Sequence, residues 1–302
     1  MRNTLGFISA VAVVLSATSG RCDEGYRMNR YSLNSGGGPT VDGTHLLNCS
    51  VGQSVAGFDS NAKSLAWIGF WAGDVPEPRH VPWIGAAKIL PDSPFLSIAG
   101  KIATAGTSDF SGFYYVEEPT RSSGIRIVAP PGSLPTVARG DIVDVIGRTS
   151  INSDGEVYIQ ADTVTSAASS LDVEPVGMRN GMLGGEARGL QQGVVDYALP
   201  WWWQCEYSIE TNNIGLLITT WGRVTGKGTG YLYVDDGSHL KDGTSTGEAE
   251  NVGVRVICDP SGYSVGDILI VTGISSCFET PAGKIARHIL TRKPEEMRKA
   301  YP

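Results

Sequence analysis

Three blocks of residues occur twice in this chain in the same order, and nothing else in the sequence constrains its fold as tightly. Phe113-Tyr114-Tyr115-Val116-Glu117-Glu118 is matched by Tyr231-Leu232-Tyr233-Val234-Asp235-Asp236. Gly124-Ile125-Arg126-Ile127-Val128 is matched by Gly253-Val254-Arg255-Val256-Ile257. Gly140-Asp141-Ile142-Val143-Asp144-Val145-Ile146-Gly147 is matched by Gly266-Asp267-Ile268-Leu269-Ile270-Val271-Thr272-Gly273. The spacings differ by an inserted polar stretch around His239 to Ala249 and a small deletion before Gly266. Changes of loop length between fixed strands are how duplicated domains diverge.

Each block reads as a strand. Ile125 and Ile127 alternate with Arg126, and Val254 and Val256 with Arg255, the period of two that buries one face and exposes the other. Gly-Asp ahead of the third block is a tight turn entering a strand. Leu96 to Ala103 and Ile214 to Val224 supply a strand before the aromatic block of each copy. Val157 to Val164 and Lys284 to Leu290 supply one after the third block. Five strands per copy, short turns and no amphipathic helix predict an all-β chain with two tandem five-stranded Greek-key barrels.

Strand, aromatic-x-Tyr-Val-acid-acid, Gly-Ile/Val-Arg-Ile/Val, a Gly-Asp-led apolar strand and a last strand together resemble the OB-fold domains of uncharacterised secreted bacterial proteins. Gly177 to Gly193 and Asn212 to Leu217 look like linker and strand segments of the same proteins, and the likeness covers the last two-thirds of the chain. It implies a fold and leaves the function open, because one fold hosts many functions. Many OB domains carry a helix between the third and fourth strands. Here Pro130-Pro131-Gly132-Ser133-Leu134-Pro135 and Asp259-Pro260-Ser261-Gly262 disfavour one.

Outside the repeat, Arg2, the apolar run Leu5 to Leu15 and the small residues Ala17-Thr18-Ser19 read as an export signal over 1–19. The run is too short to span a membrane comfortably, and no later apolar run is long enough to anchor the chain. Arg21 before Cys22 is wrong for lipoprotein processing. A small β unit is expected over 27–75, from Gly36-Gly37-Gly38, Val51-Gly52-Gln53 and Gly69-Phe70-Trp71. The divisions that follow are a linker at 76–85, a first barrel at 86–166, a linker at 167–186, a second barrel at 187–292 and a tail at 293–302.

Recognisable catalytic or metal-binding patterns are missing from the sequence. His45, His80, His239 and His288 fall in no zinc motif, and no Gly-x-Ser-x-Gly elbow occurs. Gly226-Lys227-Gly228-Thr229-Gly230 precedes a strand, so it reads as a hairpin and not as a phosphate loop, which needs a helix N-terminus. Asp235, Asp236 and Asp242 lack calcium-loop spacing. Cys22, Cys49, Cys205, Cys258 and Cys277 include no CxxC pair, and their odd number cannot pair completely. Cys258 and Cys277 are expected to stay unpaired, at the end of the third strand and after the fourth. No catalytic residue, metal or cofactor is assigned.

The candidate ligand contacts are Phe113, Tyr115 and Arg126 in the first copy and Tyr231, Tyr233 and Arg255 in the second. If Leu232 and Val234 face the core, Tyr231 and Tyr233 face out and Arg255 shares their side. OB barrels bind oligonucleotides and oligosaccharides across this face, with rings stacking and arginine bridging phosphate. The alternative is structural, with rings covering the barrel and arginine paired to nearby acids. Trp201-Trp202-Trp203 is either a lid between barrels or a contact patch. The expectation is an exported, non-enzymatic binding or surface-structure protein whose ligand is a glycan, a protein or an envelope component. The alternatives are an extracellular single-stranded nucleic-acid-binding protein and an enzyme with a dispersed site. A net charge of −7 and acids beside both aromatic strands disfavour nucleic acid.

Overall fold

The computed structural model describes the backbone at 36–41, 46–51, 57–61 and 64–68, and residues 77–301 except 91–93, 129–134, 170, 172 and 196–206. The export segment and Trp201-Trp202-Trp203 lie outside the described residues. The chain divides into two compact units, 1–75 and 76–302. In the first unit, β1 (Gly36–Val41) and β2 (Leu46–Val51) form an antiparallel pair, as do β3 (Gly57–Asn61) and β4 (Ser64–Ile68).

The second unit opens with β5 (Arg79–His80) and a short helix, α1 (Ile84–Ile89). A first barrel follows, from β6 (Phe95–Ala105), β7 (Phe113–Glu117), β8 (Gly124–Val128), β9 (Ile142–Ile151) and β10 (Val157–Ala167). Its order is β6-β7-β8-β10-β9, closed by pairing of β9 with β6, and β10 runs parallel to β8. After β11 (Val176–Gly177) comes a second barrel. Its elements are β12 (Leu217–Gly228), β13 (Tyr231–Asp235), the hairpin β14 (Lys241–Thr246) and β15 (Ala249–Val252), β16 (Val254–Ile257), β17 (Ile268–Glu279) and β18 (Ile285–Leu290). The order β12-β13-β16-β18-β17 closes through β12–β17, with β18 parallel to β16. Both barrels therefore have the same OB-like topology.

Alternation drives the closure. In β9, Val143 and Val145 are buried while Ile142 and Asp144 face solvent. Leu96, Ile98, Tyr114, Val116, Ile125, Ile127 and Ile159 complete the first core. Ile218, Val224, Leu232, Val234, Val254, Val256, Leu269, Val271 and Ile289 fill the second.

Several sequence boundaries need correction. The stretch 76–85 is not a free linker. Arg79–His80 pairs with β6, and Val81 and Ile84 are buried in the first core. In 167–186, Val176–Gly177 pairs with β12 and Leu183 enters the second core. The tail supplies β19 (Met297–Lys299) on the edge of β17. Cys277 lies inside β17, opposite Arg287, and not after the fourth strand, which runs on to Glu279. Cys258 and Cys277 are both free thiols.

The two barrels pack directly on each other. Ala105 and Tyr115 of the first share an apolar cluster with Leu217, Ile274 and Leu290 of the second. At the tightest point the backbones of Gly124 and Gly215 touch. A Cβ on Gly124 would collide with the Gly215 carbonyl, and Gly215 itself has φ +95°. Gly124→Ala is therefore expected to cost about 1–3 kcal/mol by forcing this contact apart. Urea unfolding of the variant measures it, and a cost indistinguishable from zero would show that the barrels yield without strain.

Candidate binding faces

Outward residues of β7 and β8 form the first predicted face. Tyr115 and Arg126 are buried there, and Phe113 is half-buried. The guanidinium of Arg126 lies 4.2 Å from the Phe113 ring centre and meets Glu156 at 2.7 Å. Its Nε donates to the Tyr115 hydroxyl at 2.9 Å, and that hydroxyl donates to Glu156 at 2.9 Å. Ser276 of the second barrel donates to the same carboxylate at 2.9 Å. The face points out of its own barrel but into the partner barrel. Tyr115, Arg126 and Glu156 are consumed in holding the two together.

Burial perturbs several titratable groups at this junction. Burial pushes the Glu156 carboxyl up, against the pull of Arg126, Ser276 and Tyr115. Burial drives the Tyr115 hydroxyl well up, with the Glu156 charge adding to it. Nearby, Lys88 of α1 is buried and donates to the Ile214 carbonyl at 2.6 Å, and burial lowers its pKa to about 8. Among the described residues no group of three or more His, Cys, Asp or Glu side chains is placed to hold a metal ion.

The second face differs in what covers it. The inserted stretch is the hairpin β14–β15, which meets the rings from the side. Tyr233 is buried and donates to Asp242 at 2.6 Å, with Thr244 at 3.0 Å. Tyr231 stays half-exposed, edge-on to Tyr233 with ring centres 5.8 Å apart. The Arg255 guanidinium lies 4.0 Å from the Tyr231 ring centre and 4.8 Å from that of Phe278. Phe278 in turn stacks on His288 at 5.6 Å. Burial, with Arg126 and Arg255 nearby, lowers the His288 pKa to about 3, so the imidazole is neutral. The sequence pattern does not mark Phe278, which lies beyond the predicted end of the fourth strand, and it weighs His288 only against zinc motifs.

The acid pairs beside the aromatic strands are also occupied. Glu117 accepts from the Leu217 amide, and Glu118 accepts from the Ile84 amide at 2.5 Å and from Lys101 at 2.8 Å. Asp235 accepts from the His239 amide at 2.8 Å, and Asp236 from the Asn180 amide at 2.8 Å. They pin loops and neighbouring elements to their barrels.

Closed five-strand order, repeated, defines a tandem OB-like barrel protein. No family model matches the chain, and no curated protein does. Among solved structures the chain is similar to fission yeast Pot1, in the crystal structure of that protein and ssDNA. The two are 11% identical with a TM-score of 0.33, over 81% of this chain and 91% of that one. A likeness that low adds nothing to the strand order, which carries the fold assignment by itself. No helix among the described residues is long and apolar enough to cross a membrane.

Proposed function

We propose that this chain is an exported, non-enzymatic binding protein that takes a glycan on the aromatic face of its second barrel. The observation that supports this reading is the contrast between two equivalent arginines. Arg126 is neutralised by Glu156. Arg255, at the same place in the repeat, has no hydrogen bond or ion pair among the described residues, and its buried Nε has no partner. A cation left between two rings, one of them half-exposed, suits a ligand that stacks a flat face and presents an acceptor. Export rests on the N-terminal charge, apolar run and small-residue exit. The second reading, single-stranded nucleic acid, uses the same Tyr231 and Arg255.

A glycan array and a single-stranded DNA titration of the mature protein test both readings. Arg255→Met is expected to lower glycan affinity about tenfold, a loss typical of one anchoring contact. Single-stranded DNA is expected to bind weakly at physiological salt, because one unpaired arginine on this face of an acidic chain neutralises few phosphates. Tight DNA binding that falls steeply with added salt would favour the second reading. Binding of any ligand that ignores Arg255→Met would remove this face from both.

A further inference from the structure

A cleft lies where helix α1, the β7–β8 loop and the entry to the second barrel meet. It encloses about 400 Å³ and is lined by Trp83, Ile89, Ser122, Ser123, Arg188 and Asn212, among others. That is within the range of small-ligand sites, about 300–1,000 Å³. Its parts are held firmly. Glu118 fixes the start of α1 by accepting from the Ile84 amide at 2.5 Å, and Lys88 ties the helix to the Ile214 carbonyl at 2.6 Å. The two large apolar side chains at the ends of this helix nonetheless face solvent, with Trp83 58% and Ile89 51% exposed.

Polar groups converge on the same space. Asn212 is 6% exposed. Its Nδ2 donates to the Glu186 carbonyl at 3.0 Å, which fixes the amide orientation and leaves Oδ1 as a buried acceptor with no partner. Arg188 lies against α1, where a Cβ on Gly85 would come 3.4 Å from its Nη2. Its guanidinium has no hydrogen bond or ion pair among the described residues. The Ser122 and Ser123 hydroxyls complete the lining.

We infer that this cleft is a binding site for an acidic saccharide. The sugar would stack on Trp83, share hydrogen bonds with Ser122 and Ser123 and place its carboxylate on Arg188. The assignment follows from the mixture: an exposed ring for an apolar sugar face, hydroxyl partners and one unpaired cation. It is independent of the Tyr231–Arg255 face and goes beyond it.

Calorimetric titration of the full mature chain with digalacturonate tests the site, with the methyl ester of the same sugar and uridine monophosphate as comparison probes. Saturable digalacturonate binding is expected, weakened about tenfold by Trp83→Ala, by Arg188→Gln and by esterification of the sugar. Arg255→Met is expected to leave this binding unchanged, which separates failure here from failure at the second-barrel face. Trp83 and Arg188 are exposed, so both variants are expected to keep the wild-type unfolding curve. Absence of saturable binding to digalacturonate, or wild-type affinity in both variants, overturns the inference. Tighter binding of uridine monophosphate at the same residues overturns the saccharide assignment.

Discussion

Arg126→Met is expected to destabilise the protein by about 3–5 kcal/mol, the cost of leaving a buried charge without its partner. Arg126 and Glu156 meet at 2.7 Å with both side chains almost fully buried. Tyr115 and Ser276 satisfy part of the carboxylate, at 2.9 Å each, but neither supplies a charge. The double variant Arg126→Met, Glu156→Met is expected to recover most of the loss, because replacing both members removes the desolvation penalty together with the attraction. A second signature is pH. Burial already pushes the Glu156 carboxyl up, and losing Arg126 pushes it further, so the lone carboxyl takes up a proton more readily. The deficit of Arg126→Met should therefore shrink as pH falls. Urea unfolding of both variants at two pH values decides it. A single-variant cost under about 1 kcal/mol would place the ion pair among contacts that add little to stability.

That pair marks the boundary of what the sequence discloses. The three ordered blocks locate β7, β8 and β9 and their counterparts β13, β16 and β17, because alternation and Gly-Asp turns act within a few residues. The same alternation correctly turns Tyr115 and Arg126 away from their own barrel. It carries no information on what covers the outward face, and a second barrel covers it. Glu156 follows Asp154-Gly155 in a surface-like turn, so nothing local marks it as the buried partner of Arg126. The insertion at His239 to Ala249 is legible as an insertion but not as the hairpin that engages Tyr233. Its Thr, Ser and Glu residues lack the apolar alternation by which strands are read. The helix α1 is missed for a similar reason: Ile84–Ile89 is less than two turns, too short for a helical period to show. The cleft at Trp83, Arg188 and Asn212 joins residues far apart in the chain, and it exists only once both barrels are docked.

The junction should also respond to pH through Glu117. This carboxylate accepts from the Leu217 amide at the start of the second barrel, while its other oxygen is buried without a partner. Burial raises its pKa from 4.5 to about 7, against the pull of the Leu217 amide, Arg121 and Arg292. The folded state therefore holds the proton more tightly than the unfolded chain does. The associated stability is fully present below the unfolded value of 4.5 and is lost as pH rises through about 7. At pH above that window the wild type bears a penalty on the order of 3 kcal/mol at most, since each unit is about 1.4 kcal/mol. Glu117→Gln keeps a carbonyl oxygen for the Leu217 amide and cannot ionise. It leaves one buried amide group to find a partner, which offsets about 1 kcal/mol. The variant is thus expected to exceed the wild type by about 1–2 kcal/mol above the window. Below it the order should reverse or the two should converge. Urea unfolding across the pH range reads this directly. A difference between the two proteins that stays constant with pH would mean that Glu117 titrates normally, and that the contact with Leu217 holds an ionised carboxylate without strain.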